Sequence, residues 1–221
     1  MLESLSRWAP LTGVISAVLG VAGGLIEIVT NPPGSDASGK EVIAFYSAQG
    51  GTQQLGAALL ALAFVFFLFF AGSLRGYLRQ TPGLEALSAV VLAGAVLETA
   101  GQTMGAGYVW ALAQGSGHLD PSAAQCLNAL SNNAVATNTA GMIVFGVAAG
   151  LAILRSGRLP RWLGWVAIAM AVAVVTPVEG FAFLALVIWM VIVSILICMR
   201  AGQPHPEQAA GVPSPGGVTG D

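Results

Sequence analysis

Six apolar segments follow one another along this chain, and they limit its fold more than any other feature does. They cover residues 8–29, 55–74, 84–110, 134–154, 162–176 and 181–199. A helix needs about 20 apolar residues to cross the hydrocarbon core of a bilayer, and only the fifth segment is short unless it continues through Pro177 to Glu179. Charged residues make up 8% of the chain, against roughly 25% in soluble proteins. The sequence therefore predicts an all-α, polytopic membrane bundle with six transmembrane helices.

The basic residues predict how this bundle is oriented. Seven arginines flank the apolar segments at one end, and Lys40 alone lies at the other; the arginines are Arg7, Arg75, Arg79, Arg155, Arg158, Arg161 and Arg200. Because cytoplasmic loops carry the excess of Lys and Arg, we expect three helical hairpins with both termini cytoplasmic. Residues 1–200 form this domain, and residues 201–221, rich in Pro, Gly and Ala, are predicted to be a disordered cytoplasmic tail.

Two segments between the apolar stretches carry helix signals of their own. Residues 31–51 are predicted to be an outer loop with a short helix around residues 41–48. Asp120-Pro121 is a good helix start, with proline at the first helical position. The fourth spanning helix is therefore expected to begin there, and the third and fourth helices to project beyond the outer surface.

Glu98 stands inside an apolar stretch, where a carboxylate is costly and marks a functional site by default. The other two in-to-out helices carry Glu27 and Glu179 at matching positions. Residues at helical spacing place two of these glutamates on faces of small residues, which pack against other helices. The faces are Gly13, Ala17, Gly20, Gly24 and Glu27 on the first helix, and Gly94, Glu98, Gly101, Gly105 and Tyr108 on the third. Glu27 and Glu98 are thus predicted to point into the bundle.

Counting along the helices places several polar residues near the outer edge of the hydrocarbon core. We expect one layer there that binds a ligand, formed by Glu27, Gln54, Glu98, Gln102, Asn138, Thr139 and Glu179. An alternative for Glu27 and Glu179 is contact with water at the membrane surface. For Glu98 the alternative is a structural hydrogen bond to a neighbouring helix.

Two short sequence motifs are similar to those of a known family. They are EVIAFY at residues 41–46 and GRLPRWLGW at residues 157–165. The chain resembles an uncharacterised family of bacterial six-helix integral membrane proteins, a domain of unknown function, in these two motifs and in its helix spacing over residues 1–200. The resemblance implies a helical bundle in the plasma membrane, and it implies no activity.

The sequence is compatible with three different functions. The first is binding or transport of a small cationic or amphiphilic molecule at the carboxylate layer, with a homo-oligomer expected for transport. The second is an intramembrane enzyme that uses protonated Glu98 as a general acid on a lipid-soluble, isoprenoid-like substrate. The third is a structural or regulatory subunit. No motif for a metal, a cofactor or a nucleic acid occurs, so the expected partners are the lipid bilayer and a small molecule or cation.

Overall fold

The protein is built from helices. The computed structural model describes residues 9–176 and 179–201, apart from the side chains of residues 9, 135–138, 179–182 and 201. Over these residues the chain forms a short 3-10 turn at Ala9–Leu11 and seven α-helices, with no strand. The helices are α1 Thr12–Thr30, α2 Gly39–Leu78, α3 Glu85–Gly115, α4 Pro121–Asn133, α5 Val135–Ser156, α6 Arg161–Ala173 and α7 Glu179–Ala201. The predicted all-α class is confirmed; the predicted tail lies outside the described residues.

Five stretches of helix within the described chain are long and apolar enough to cross a membrane. They are α1, α2, α3, Thr139–Ser156 in α5 and Phe183–Arg200 in α7. The segment predicted at residues 162–176 corresponds to α6, which has 13 residues. At 1.5 Å per residue α6 is about 20 Å long, shorter than the roughly 30 Å of a hydrocarbon core.

The apolar helices form a ring in chain order. Each of α1, α2, α3, α5, α6 and α7 packs against the next, and α7 packs back against α1. Aromatic side chains fill the middle: the ring of Phe145 lies 5.0 Å from that of Phe67 and 6.0 Å from that of Trp189, edge to face. Such pairs add to the burial energy of large apolar side chains. Trp189 also donates a hydrogen bond from Nε1 to the backbone oxygen of Leu163 at 2.9 Å, which joins α7 to α6.

A second, smaller core lies beyond one end of this ring. At 1.5 Å per residue, the 40 residues of α2 and the 31 of α3 extend about 60 and 46 Å, well beyond a bilayer core. The excess length packs with α4 around Val42, Tyr46, Leu112 and Ala124. We call this unit, residues 31–46 and 109–133, the cap.

The prediction of a separate short helix at residues 41–48 is wrong, because these residues belong to α2, which runs unbroken through Gly50 and Gly51. Ser38 begins the helix by accepting a hydrogen bond from the Glu41 backbone amide, the pattern of a capping box. Each glycine inside a helix costs about 1 kcal/mol relative to alanine. Packing of this first part of α2 against α3 and α4 offsets that cost.

Helix α4 begins as the sequence predicts and ends earlier. The Asp120 carboxylate accepts hydrogen bonds from the Ser122 backbone amide at 2.9 Å and from its hydroxyl at 2.6 Å. These bonds hold the pKa of Asp120 below its ordinary value of 3.8. A turn at Ala134 then separates α4 from α5. Asp120 therefore starts a separate cap helix rather than the spanning helix itself.

Asparagine side chains fasten α4 to the loop between α1 and α2. The fully buried Asn128 donates from Nδ2 to the backbone oxygen of Gly34 at 2.7 Å. Asn132 donates from Nδ2 to the backbone oxygen of Pro33 in the same loop at 3.4 Å. The cap is thus held by hydrogen bonds to backbone as well as by its own apolar core.

Candidate functional site

Glu98 lies in the contact between α3 and α5, with only 4% of its surface exposed. The next residue, Thr99, donates a hydrogen bond to the backbone oxygen of Phe64 on α2, so Glu98 faces the other way. There it meets Gly141 of α5, where any side chain would overlap the Glu98 backbone. A side chain at Gly94 would likewise overlap the backbone of Phe145. Small residues on both helices bring the backbones together, and the prediction that Glu98 points into the bundle is confirmed.

The two oxygens of the Glu98 carboxyl group differ in their hydrogen bonds. Gln102, one turn along α3, donates from Nε2 to Oε1 at 3.3 Å. The backbone amide of Met142 lies beside the same group. The second oxygen, Oε2, is buried and accepts no hydrogen bond from any described residue. Buried polar atoms almost always have a partner, so Oε2 is an acceptor that a hydrogen-bond donor brought to this point could satisfy.

A groove begins one helical turn from Glu98, between α3 and the end of α4. It encloses about 170 Å³ and is lined by Gly101, Met104, Tyr108, Leu130, Asn133 and Ala134. Gly101, which lines the groove, follows Glu98 by three positions in the chain. The two residues therefore lie on the same face of α3. The turn at Ala134, which ends α4, forms the opposite wall. The groove thus sits where the cap joins the bundle.

Glu27 does not join this site, contrary to the prediction that it points into the bundle. It is exposed on α1, which packs mainly against α2 and α7. The face of α1 that contacts α2 passes through Gly23 and Ile26: a side chain at Gly23 would overlap Leu60, and one at Gly56 would lie against Ile26. This contact line leaves Glu27 to one side of the helix interface.

The buried glutamine on α2 is Gln53 rather than the predicted Gln54, which is half-buried. Gln53 donates from Nε2 to the hydroxyl oxygen of Thr30 at 2.6 Å, and Thr30 donates to the backbone oxygen of Ile26. This chain joins α1 to α2. A signal for Gln53 existed in the sequence, because it shares a helical face with Phe64 and the other core phenylalanines.

The remaining predicted residues are only partly placed. Thr139 is half-buried on α5, two positions before Gly141. The side chains of Asn138 and Glu179 lie outside the described residues. Sequence reasoning missed the groove residues Met104, Leu130 and Asn133, because they come together only where α4 ends against α3.

Within the described ranges, no three His, Cys, Asp or Glu side chains are grouped as a metal ion would require. Comparison of the chain with protein families, with curated proteins and with solved structures finds no match.

Proposed function

We propose that this is a multi-pass membrane protein that binds or transports a small cationic or amphiphilic molecule at Glu98. The observation that carries the proposal is the buried Oε2 atom without a hydrogen-bond partner. A buried polar atom without a partner costs about 1–3 kcal/mol, and more when it is charged. A ligand that donates a hydrogen bond or brings a positive charge to Oε2 would recover that free energy. Carboxylates within membrane-spanning segments commonly serve such binding.

The same proposal includes the topology predicted by the charges. The described arginines lie at the end of the bundle opposite the cap, at Arg75, Arg79, Arg155, Arg158, Arg161 and Arg200. By the excess of basic residues in cytoplasmic loops, we place that end and both termini in the cytoplasm and the cap outside. The chain then crosses the plasma membrane six times, with α6 and the residues after it as the fifth crossing.

Native and introduced cysteines test this orientation. Cys126 is exposed on α4 of the cap, so a membrane-impermeant maleimide should label it in intact cells. In a Cys126→Ser background, a cysteine replacing Arg155 should react only after the membrane is permeabilised. The reverse pattern would place the cap in the cytoplasm and contradict the proposed topology.

For transport, we propose that the protein acts as a homo-oligomer. The centre of a single bundle is filled by Phe67, Phe145 and Trp189, so it offers no central pathway. A route between copies avoids this obstacle. Cross-linking in native membranes should trap dimers or larger forms, and a purely monomeric protein would restrict the proposal to binding.

The binding site is tested by comparing Glu98→Gln with a matched control, Glu27→Gln. Both variants remove one carboxylate, but Glu27 is exposed and lies away from the groove. Native mass spectrometry of protein purified from its own membranes should show a small molecule or ion on the wild type and on Glu27→Gln. Glu98→Gln should lose it while its free energy of unfolding stays close to that of the control.

Other outcomes point to the other functions. If Glu98→Gln keeps the bound species as fully as Glu27→Gln does, the ligand site is elsewhere and the proposal is wrong. If no preparation carries a ligand and all forms are equally stable, a structural or regulatory subunit is the better description. Chemical change of a bound lipid-soluble molecule by the wild type, absent in Glu98→Gln, would indicate the intramembrane enzyme.

A further inference from the structure

We infer that the connection between α5 and α6 binds the headgroup of an anionic phospholipid, in the leaflet at the arginine end of the bundle. The segment concerned is residues 155–165, with the sequence RSGRLPRWLGW, and we call it the basic turn. This inference goes beyond the function proposed above. It requires that the bundle lies in a bilayer, and it depends neither on a ligand at Glu98 nor on which side of the membrane is cytoplasmic.

Packing explains only part of the basic turn. Gly157 has a φ of 61°, in the left-handed region that favours glycine. Leu159 and Leu163 are buried, and a side chain at Gly164 would overlap the backbone oxygen of Gly150 on α5. These residues form the turn and hold α6 against α5. Packing does not account for the exposed arginines and tryptophans of the same segment.

The guanidinium group of Arg158 is held in one orientation. Its Nη1 donates to the backbone oxygen of Tyr77 at 3.3 Å and to Oε1 of Gln80 at 2.6 Å, and its central carbon lies 5.1 Å from the centre of the Tyr77 ring. Nε and Nη2 have no described partner and are accessible. These two nitrogens form the edge of a guanidinium that can donate to two oxygens of one phosphate. Arg158 therefore presents a fixed pair of phosphate donors.

The charge around Arg158 favours an anion. Arg155 and Arg161 flank it by three positions on each side, and both are exposed. No Asp or Glu occurs in the sequence between Asp120 and Glu179. Among the described residues, Glu85 is the only acid at this end of the bundle, against six arginines. Basic clusters at the membrane surface bind the headgroups of anionic lipids.

The start of α6 favours a lipid over a soluble phosphate. Trp162 is 51% exposed and Trp165 is 63% exposed, and tryptophans concentrate at the interface between membrane and water. Trp165, Ala169 and Val172 are all exposed at helical spacing, so they form one stripe on α6. The acyl chains of a lipid held at Arg161 would lie along this apolar stripe. A free phosphate would gain nothing from it.

Native mass spectrometry in detergent, with phosphatidylglycerol and phosphatidylcholine of equal chain length, tests the inference. The wild type should bind phosphatidylglycerol about tenfold more tightly. Arg161→Gln should weaken that binding about fivefold, as one lost charge at a membrane surface does. Arg200→Gln is the control, because Arg200 is exposed at the same end but belongs to α7. Equal losses in the two variants would indicate diffuse attraction and overturn the inference.

Two further variants test the fixed guanidinium group. Gln80→Ala removes no charge but frees Arg158 to move, so phosphatidylglycerol should bind about threefold more weakly. Arg158→Lys keeps the charge and lacks the two-nitrogen edge, so binding should weaken about tenfold. Unchanged binding in Gln80→Ala and Arg158→Lys would show that Arg158 does not hold the phosphate, against the inference.

Glycerol phosphate, which has a similar headgroup without acyl chains, separates a lipid from a soluble ligand. An excess of about a hundredfold should not displace phosphatidylglycerol, because the chains contribute most of the membrane affinity. Binding of glycerol phosphate as tight as that of the lipid would mean that the basic turn takes a soluble phosphate. The lipid would then be wrong.

Tryptophan fluorescence in bilayers locates the lipid. Brominated phosphatidylglycerol should quench the wild type more than brominated phosphatidylcholine does. The double variant Trp162→Phe, Trp165→Phe should lose this excess, whereas Trp110→Phe should keep it, because Trp110 is exposed in the cap at the other end. Equal quenching of the wild type by the two lipids would contradict the inference.

These outcomes are independent of the function proposed for Glu98. Glu98→Gln should bind phosphatidylglycerol as the wild type does, since Glu98 lies between α3 and α5 and not in the basic turn. Loss of phosphatidylglycerol from Glu98→Gln as complete as from Arg158→Lys would place the lipid elsewhere and overturn this inference. A wild type without selectivity for phosphatidylglycerol would also overturn it and leave the ligand site at Glu98 unaffected.

Discussion

Replacing Gly141 by alanine tests the packing that encloses Glu98. A methyl group at this position would overlap the backbone nitrogen and Cα of Glu98 and its Cβ. These atoms belong to a helix and cannot rotate away as the end of a flexible side chain could. We therefore expect Gly141→Ala to push α3 and α5 apart, to lower the free energy of unfolding and to let water reach the Glu98 carboxyl group.

The size of the effect follows from two opposing contributions. An alanine in place of a helical glycine stabilises by about 0.5–1 kcal/mol, because the unfolded chain loses conformational freedom. Overpacking a close contact costs about 1–3 kcal/mol. Gly107 on α3 has nothing within 4 Å of the added methyl group, so Gly107→Ala experiences the first contribution alone. The difference between the two variants should therefore be about 1–3 kcal/mol, the cost of the overlap.

Equilibrium unfolding in mixed micelles, followed by tryptophan fluorescence, measures this difference directly. Both variants make the same chemical change in a helix, so effects of the detergent cancel in the comparison. Equal free energies of unfolding for Gly141→Ala and Gly107→Ala would refute the reasoning. The α3–α5 contact would then be looser than described, and Glu98 would not be enclosed by it.

Three further variants test other contacts by unfolding or exchange. Gln53→Ala removes the hydrogen bond to Thr30 and should destabilise by about 0.6–1 kcal/mol; no change in unfolding would show that this bond contributes nothing. Trp189→Phe removes the bond to the Leu163 oxygen and should cost about 1–2 kcal/mol, with unchanged unfolding arguing against that bond. Asp120→Ala should speed hydrogen exchange at the start of α4. Because folding lowers the pKa of Asp120, its contribution is full above the ordinary value and is lost as the pH falls through the lowered one. Acid should therefore lower the protection factor at the start of α4, which is the intrinsic exchange rate at that pH divided by the observed rate, in the wild type and not in the variant.

Packing accounts for the position of Glu98 but not for its open carboxyl oxygen. Its backbone contact with Gly141 and its hydrogen bond from Gln102 are structural features. The open Oε2 atom is not explained by either of them. An apolar side chain of similar size could pack at this position without leaving a buried acceptor, and for this reason we propose Glu98 as the ligand-binding residue.

Local patterns predicted several features correctly. The helical spacing of Gly94, Glu98 and Gly101 predicted a buried face, and Glu98 is buried. Asp120 followed by proline predicted a helix start, and the helix begins there. These succeed because a helical period, a cap and a preference for small residues are properties of neighbouring residues on one element.

Other features depended on how helices meet, and local patterns missed them. Glu27 shares its nominal face with Gly24, yet the contact between α1 and α2 follows Gly20, Gly23 and Ile26 instead. The buried glutamine was misplaced by one position. In each case the helix was predicted, but the rotation of that helix against its neighbour was not.

By itself, then, the sequence determined a helical chain for an apolar solvent, the capped start of α4 and the inward face of Glu98. Only the tertiary structure decided that Glu27 lies apart from Glu98, that α2 continues into the cap, and that a groove opens where α4 ends at Ala134. The physical reason is that helix crossing and register arise from many weak contacts between residues distant in the chain. A helical period defines a face only relative to its own axis, and packing decides what that face meets.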